Sequence, residues 1–281
     1  MDKSKIKNYI IFLLAFMNAS LLIIVLGNMR EASRAQSYRE ETIISVLAKN
    51  GISVSEDVSF STPVLEEKHL RRDLGSERRG INALLGYTMV EYQGGSIYHY
   101  SGSGGRASFS GSGEFEILLN PGVIAKGADL VSSAQSALRM LGIRSSAACP
   151  VVIEEGENTI VVLTSAFGNV EIYNALLRFE FNSDYLERIT GRRPLDIVYA
   201  SHRLTRYVDG VTALMNFLQS IHESGDICSE IRSLNLGYFL SNEVSGKFIL
   251  RPVWRVETDT GIFYIDKSSG RFAGRQAGLR G

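Results

Sequence analysis

Two short stretches decide the fold: Leu-Arg-Phe-Glu-Phe at residues 177–181 and Trp-Arg-Val-Glu-Thr at residues 254–258. Each alternates an apolar side chain with Arg or Glu, which is typical of a strand with one buried and one polar face. Each follows an amphipathic helical pattern, at 128–141 and at 209–221. The strand stretches lie 77 residues apart and the helices 81. This pattern predicts an α-β-β-β unit used twice, at 126–200 and 201–273.

The chain before these units is rich in strand-forming residues. Apolar and polar residues alternate in four runs between 81 and 119, and glycines and serines crowd the stretch between Gly94 and Gly113. We predict an N-terminal β-meander subdomain over 52–125, with the Gly/Ser stretch in turns and edge strands rather than in a core. We expect residues 274–281 to form a disordered tail. The overall prediction is an α+β fold whose antiparallel sheets carry helices on one face.

An uncharged segment precedes all of this. Residues 10–26 are almost entirely apolar, and Lys3, Lys5 and Lys7 lie before them. A helix over 9–27 is long enough to cross a hydrocarbon core of about 30 Å. The positive charges predict a cytoplasmic N-terminus over residues 1–8 and an extracytoplasmic remainder. A cleaved signal peptide is the alternative, although its apolar region is usually shorter. Residues 28–51 are predicted to continue the helix outside the membrane.

One face of this predicted span carries small and polar residues. Ala15, Asn18, Ala19 and Leu22 recur at helical spacing, and Asn18 lies in the middle of the apolar run. Small residues allow another helix to approach closely, and an amide can form a hydrogen bond to it. We therefore predict a partner-binding transmembrane face. The alternative is that one Asn and a few small residues are merely tolerated there.

Composition excludes several classes of protein. The 281 residues include 30 basic and 30 acidic side chains, and 44% are hydrophobic. This is too apolar for a disordered chain, and it lacks the basic excess of a nucleic-acid binder. The overall charge balance is the sum of two unequal parts. Residues 1–27 carry three lysines and one aspartate, whereas the rest is slightly acidic.

No catalytic, cofactor or metal motif is present in the sequence. Gly102-x-Gly104-x-x-Ala107 matches part of a dinucleotide fingerprint, but the Ser/Gly-rich residues that follow cannot open the required helix. The four histidines (His69, His99, His202 and His222) lack the spacing of metal ligands. A Gly-x-Ser-x-Gly nucleophile motif is absent. We expect no enzyme activity, no cofactor and no small-molecule substrate.

The two cysteines leave a choice open. Cys149 and Cys228 lie 79 residues apart, near the repeat offset. A disulfide is allowed in an exported chain, but it requires Cα atoms within about 7 Å. The alternative is two buried small residues.

The order of these features resembles a known family. A lysine-bearing N-terminus and one span precede Gly51-Ile52, and Leu236-Gly237-Tyr238, a strand from Pro252 to Val256 and a closing hairpin at 264–270 complete the order. This resembles the YycI proteins, and more distantly YycH, of Gram-positive bacteria. The Pro-Val-Trp-Arg segment also resembles PepSY-like modules.

The resemblance implies a non-enzymatic, membrane-anchored accessory protein. Members of the family modulate the cell-wall sensor histidine kinase WalK together with a YycH-like protein, and their spans contribute to the contact. The resemblance supplies no catalytic residues. Two alternatives stay open: an anchored PepSY-like module that binds or inhibits a cell-wall enzyme or protease, and an anchored hydrolase.

Overall fold

The computed structural model describes residues 3–61, 63–146, 150–156, 158–192, 196–202, 207–242 and 247–277. Its helices are α1 (Lys3–Lys49), α2 (Leu74–Leu85), α3 (Leu130–Met140) and α4 (Gly210–Ser224). Its strands are β1 (Ser53–Val54), β2 (Glu67–Arg72), β3 (Met89–Tyr92), β4 (Tyr98–Gly102), β5 (Gly105–Phe109), β6 (Glu114–Leu119), β7 (Val151–Glu155), β8 (Asn158–Phe167), β9 (Val170–Phe181), β10 (Leu186–Arg192), β11 (Asp196–His202), β12 (Glu230–Asn242), β13 (Lys247–Thr258), β14 (Gly261–Asp266) and β15 (Phe272–Ala277).

The strands form two sheets joined at one point. The first sheet has the order β7-β8-β9-β10-β6-β5-β4-β3, and every pair in it is antiparallel. In the second sheet β13 pairs with β12 on one side, and with β2 and β14 on the other. The sheets meet where Ile172 of β9 pairs in parallel with Tyr238 of β12. This large, mainly antiparallel assembly with its helices confirms the α+β class.

Two helices cover each sheet. Aspartates cap the N-termini of α2, α3 and α4, whose apolar stripes then face the strands. Helices α2 and α3 bury a core with the first sheet, in which Phe179 and Leu177 are fully buried. Helix α4 and the end of α1 bury a second core with β12, β13 and β14, around Trp254.

The two short stretches that opened the sequence occupy matching positions. After α3, strands β8, β9 and β10 pair in antiparallel order, and after α4 strands β12, β13 and β14 do the same. Arg178 and Glu180 lie on the middle strand of the first set, and Arg255 and Glu257 on the middle strand of the second. Each set carries one additional strand, β7 or β15.

Helix α1 is continuous from Lys3 to Lys49, a length of about 70 Å. Asn50 and Gly51 end it, and Gly51 adopts a φ of +77°, where glycine avoids the steric strain of a Cβ. Near this end Ile43 and Leu47 are buried in the core of the second sheet. Arg39 also forms an ion pair of 2.8 Å with Asp209, the N-cap of α4.

The predicted meander of 52–125 is corrected in two ways. The segment contains helix α2, whose two glycines weaken the helical pattern, and its strand β2 pairs with β13 of the second sheet. The Gly/Ser stretch was also expected outside the core. However, Tyr100, Ala107 and Phe109 are buried beneath α2 and α3, because the small residues alternate with the apolar ones that face inwards.

Two smaller predictions are also corrected. Residues 274–277 belong to β15, which pairs with β14, so this part of the predicted tail is ordered by a strand ladder. The rest of that prediction lies outside the described residues. The repeat pattern also predicts a turn at Gly191-Arg192, whereas these residues end strand β10, where Gly191 pairs with both neighbouring strands.

Candidate functional site

The four residues of the predicted partner-binding face all lie on α1. The spacing of Ala15, Asn18, Ala19 and Leu22 places them on one side of the helix. The amide nitrogen of Asn18 donates to the Leu14 carbonyl at 2.9 Å, so its own helix satisfies this donor. Asn18, Ala19 and Leu22 are exposed. The side chain of Ala15 lies outside the described part of the structure.

Exposed apolar side chains surround this face. Seven large ones expose half of their surface or more: Leu13, Leu14, Phe16, Met17, Leu21, Leu22 and Val25. Contiguous apolar surface of this kind normally contacts a membrane or another protein. Within the described residues, however, no helix reaches the length and apolar character that a membrane span requires. The predicted span therefore stays a prediction.

A second candidate site is the joint between the sheets. The side-chain amide of Asn174 on β9 donates to the Leu240 carbonyl on β12 at 2.9 Å, and the Leu240 N–H donates to Asn174 Oδ1 at 2.8 Å. This amide therefore makes the two bonds that a neighbouring strand would make. On the same side, Arg192 of β10 donates to Asn242 of β12 at 3.2 Å.

A groove of about 470 Å³ runs along this joint. Side chains from both sheets line it, among them Tyr173, Leu176, Arg192, Phe239, Tyr264 and Gln276. The rings of Tyr173 and Tyr264 lie 5.5 Å apart and are nearly buried. Burial raises the pKa of both hydroxyls, so they stay neutral hydrogen-bonding groups. The groove thus offers apolar and hydrogen-bonding surface, with Arg192 and Arg275 as positive charges and Glu114 as a negative one.

Two of the acidic groups with shifted pKa values are helix caps. Hydrogen bonds from Ser76 and Ser132 lower the pKa of Asp73 and Asp129, which cap α2 and α3. These carboxylates stay ionised at neutral pH, so they cannot act as general acids there. Among the described residues, no group of three His, Cys, Asp or Glu side chains could hold a metal ion.

Sequence reasoning missed a buried polar network at the start of α2. Arg72 donates from Nε and Nη2 to the two carboxylate oxygens of Glu77, each at 2.8 Å, and Tyr100 donates to Glu77 at 2.6 Å. Arg72 also donates to the Ser96 carbonyl at 2.7 Å. The charged pair at 72 and 77 was visible in the sequence, but only the fold brings Tyr100 to it.

The structure shows the surroundings of Cys228. Cys228 is buried, and its thiol lies 3.6 Å from the Glu230 carbonyl oxygen. Burial raises the pKa of this thiol to about 11, which makes it a poor nucleophile at neutral pH. Cys149 lies outside the described residues.

Comparisons with known proteins do not assign a family. No family model matches the chain, and no curated protein matches it. A solved structure of an uncharacterized protein from Eubacterium rectale is similar at 8% identity and a TM-score of 0.46, covering 80% of this chain and 85% of that one. The YpeB C-terminal domain of Bacillus megaterium is similar at 7% identity and a TM-score of 0.37, covering 74% of this chain and 98% of that one. Likeness at this level carries no argument about fold or function.

Proposed function

We propose that this chain is a single-pass membrane protein whose extracytoplasmic α+β domain modulates a cell-wall sensor histidine kinase, together with a YycH-like protein. Its N-terminus would lie in the cytoplasm and residues 28–281 outside. The observation that carries the proposal is the row of exposed apolar side chains on α1, preceded by three lysines. Water does not favour such a surface, whereas lipid or a partner helix does.

The continuity of α1 supports a regulatory role. One helix runs from the exposed apolar segment to Ile43 and Leu47 in the core of the second sheet. A rotation or shift of this helix would therefore move the domain with it. Contacts of Ala15, Asn18, Ala19 and Leu22 with kinase helices would bias a two-state kinase in this way.

We also propose that the two helix-plus-three-strand sets are PepSY-like repeats. Their support is the matching ion pair on each middle strand. Arg178 Nε lies 3.0 Å from Glu180, and Arg255 Nη1 lies 2.8 Å from Glu257.

The test replaces residues 9–27 with an unrelated spanning helix and measures kinase autophosphorylation after co-reconstitution in lipid vesicles. We expect the variant with the foreign span to stay in the membrane but no longer to change the autophosphorylation of the kinase. Asn18→Leu should weaken it, whereas Met17→Leu, one position away on the same helix, serves as the matched control. Unchanged regulation by the variant with the foreign span would exclude the transmembrane contact and leave the extracytoplasmic domain as the acting part.

The orientation of the chain in the membrane is tested separately. Protease added to intact cells should cut the domain after residue 27 and spare a tag fused to the N-terminus. Protection of the domain would contradict the proposed orientation, whatever the kinase does.

A further inference from the structure

Strand β3 forms one edge of the first sheet and exposes large side chains. It pairs with β4, and among the described strands the order ends there. Tyr87, Met89 and Tyr92 are 82%, 76% and 60% exposed. Edge strands usually carry Lys, Pro or a bulge that discourages pairing with another chain. Residues 87–92 contain neither Lys nor Pro, the β3–β4 register is unbroken, and Glu91 is the one charged side chain in this segment.

The backbone pattern shows which groups of β3 point outwards. Gln93 donates to the Ile97 carbonyl at 3.2 Å, which makes Gln93 and Ile97 a hydrogen-bonded pair. Such pairs alternate along an antiparallel ladder, so Glu91 and Met89 share their bonds with β4. The N–H and C=O groups of Val90 and Tyr92 therefore face the open edge.

We infer that this edge pairs with β3 of a second copy of the chain, in an antiparallel two-fold arrangement centred on Val90. In this register Val90 lies opposite the second Val90 and Met89 lies opposite Glu91. Thr88, which would face Tyr92, is fully buried, so the paired segment is residues 89–91. Both copies present the same surface, as a two-fold interface requires. The two sheets join into one continuous sheet.

Charge selects this register. Centring the pair on Glu91 would place two carboxylates directly opposite each other, which destabilises a ladder. Centring it on Tyr92 would carry the pairing past the end of the strand into Gly94 and Gly95, which adopt positive φ values. The Val90 register avoids both.

The available area fits a modest dimer. The exposed parts of Tyr87, Met89 and Tyr92 amount to about 400 Å² per copy. With Val90, Ile97 and the strand backbone, two copies bury at most about 1,000 Å², which is the lower limit for a specific interface and typical of a weak dimer. The ring of Tyr92 already packs on Tyr98 at 5.0 Å, so part of the surface is ordered before pairing.

Cysteine cross-linking of the purified full chain in detergent tests the register. Paired residues in a hydrogen-bonded position have Cα atoms about 5.5 Å apart, within disulfide range. Val90→Cys should form a covalent dimer under mild oxidation. Met89→Cys, two residues out of register with its copy, should form much less. Val152→Cys on edge strand β7 is the matched exposed control. The unsubstituted chain shows how much covalent dimer Cys149 and Cys228 form by themselves.

A charge pair provides an independent measurement. Met89→Lys and Met89→Glu remove the same apolar side chain, but they place opposite or like charge against Glu91 of the second copy. We expect the dimer dissociation constant of the glutamate variant, measured by sedimentation at low salt, to be about tenfold higher than that of the lysine variant. Equal constants, or no more Val90→Cys dimer than Val152→Cys dimer, would overturn the inference. Cross-linking of Met89→Cys as efficient as that of Val90→Cys would overturn the register.

Discussion

At the residue scale, the loss of the Arg72–Glu77 ion pair at the start of α2 should lower the stability of the fold strongly. Glu77 is 1% and Arg72 7% exposed, and Glu77 accepts from both Arg72 and Tyr100. Glu77→Gln leaves a buried guanidinium without a counter-charge, and we expect it to lower the free energy of unfolding by about 3 kcal/mol. Urea denaturation measures this.

Two further variants make the interpretation specific. Arg72→Met combined with Glu77→Leu should lose less stability than Glu77→Gln alone, because no unpaired charge remains buried. Arg79→Gln breaks an exposed pair of 3.9 Å with Asp73 and should change stability by less than about 0.5 kcal/mol. A Glu77→Gln loss as small as that of Arg79→Gln would contradict the prediction.

Lys267 supplies a residue-scale prediction about pH. Its ammonium group is buried, donates to the Pro63 carbonyl at 2.8 Å, and lies 5.2 Å from the Tyr207 ring and 5.8 Å from the Trp254 ring. Burial lowers the pKa of Lys267 below its ordinary 10.5. Between the folded pKa and 10.5 the unfolded chain binds more protons, so this residue makes the free energy of unfolding rise with pH.

The comparison with Lys267→Met isolates this effect. The stability of the parent chain relative to Lys267→Met should increase as the pH is raised from 7 towards 10 in urea denaturation. Lys247→Met, at an exposed position, is the control. A relative stability that falls over this range would show that the ammonium form is the favoured one in the fold.

At the element scale, the Gly-rich stretch packs the β4–β5 hairpin against the end of α2. The Gly104 N–H donates to the Leu85 carbonyl at 2.9 Å, and a Cβ on Gly104 would lie 2.9 Å from Leu85 Cα. Gly104→Ala should therefore cost about 1–3 kcal/mol through overpacking. Gly274→Ala on β15 is the matched control, because its Cβ would meet nothing closer than 4.0 Å. Equal thermal stability of the two variants would contradict the close approach.

The same stretch shows what sequence could and could not predict. The absence of a helix after Gly104 was correctly predicted from the following serines and glycines, and β5 continues there as a strand. The burial of Tyr100 and Phe109 was not, because it depends on α2 lying over them. Helix α2 itself was missed, since Gly75 and Gly80 weaken its pattern, although Asp73 is a visible cap.

The residues of the candidate sites were likewise predictable only in part. The Arg-x-Glu strands were predictable because alternation is local, and each lies on a middle strand. The Asn174–Leu240 contact joins residues 66 positions apart, and no local pattern marks it. Side chains that join one element to a distant one need the topology before they can be recognised.

At the scale of the whole molecule, two helix-covered sheets depend on a narrow joint. Within the described residues Ile172 and Tyr238 form the one backbone bridge between β9 and β12, and Asn174 extends it by two hydrogen bonds. Side chains from both sheets also share a small core, including Ile172, Tyr238 and Leu240. The relative orientation of the sheets therefore rests on this core, on the Asn174 amide, on the Arg192–Asn242 bond and on the bonds of Arg72 to Ser96 and Glu77.

Asn174→Ala should test that joint without disturbing either main core. It removes both bonds to Leu240 and should lower the free energy of unfolding by about 1–2 kcal/mol. The Leu240 amide should lose protection from hydrogen exchange, by about tenfold for each 1.4 kcal/mol, while amides of Phe179 and Val256 change only with global stability. Asn235→Ala, which loses an exposed bond of 3.2 Å to Ser233, is the control. If Leu240 exchange is unchanged in Asn174→Ala, the two Asn174 bonds do not help to hold the sheets together.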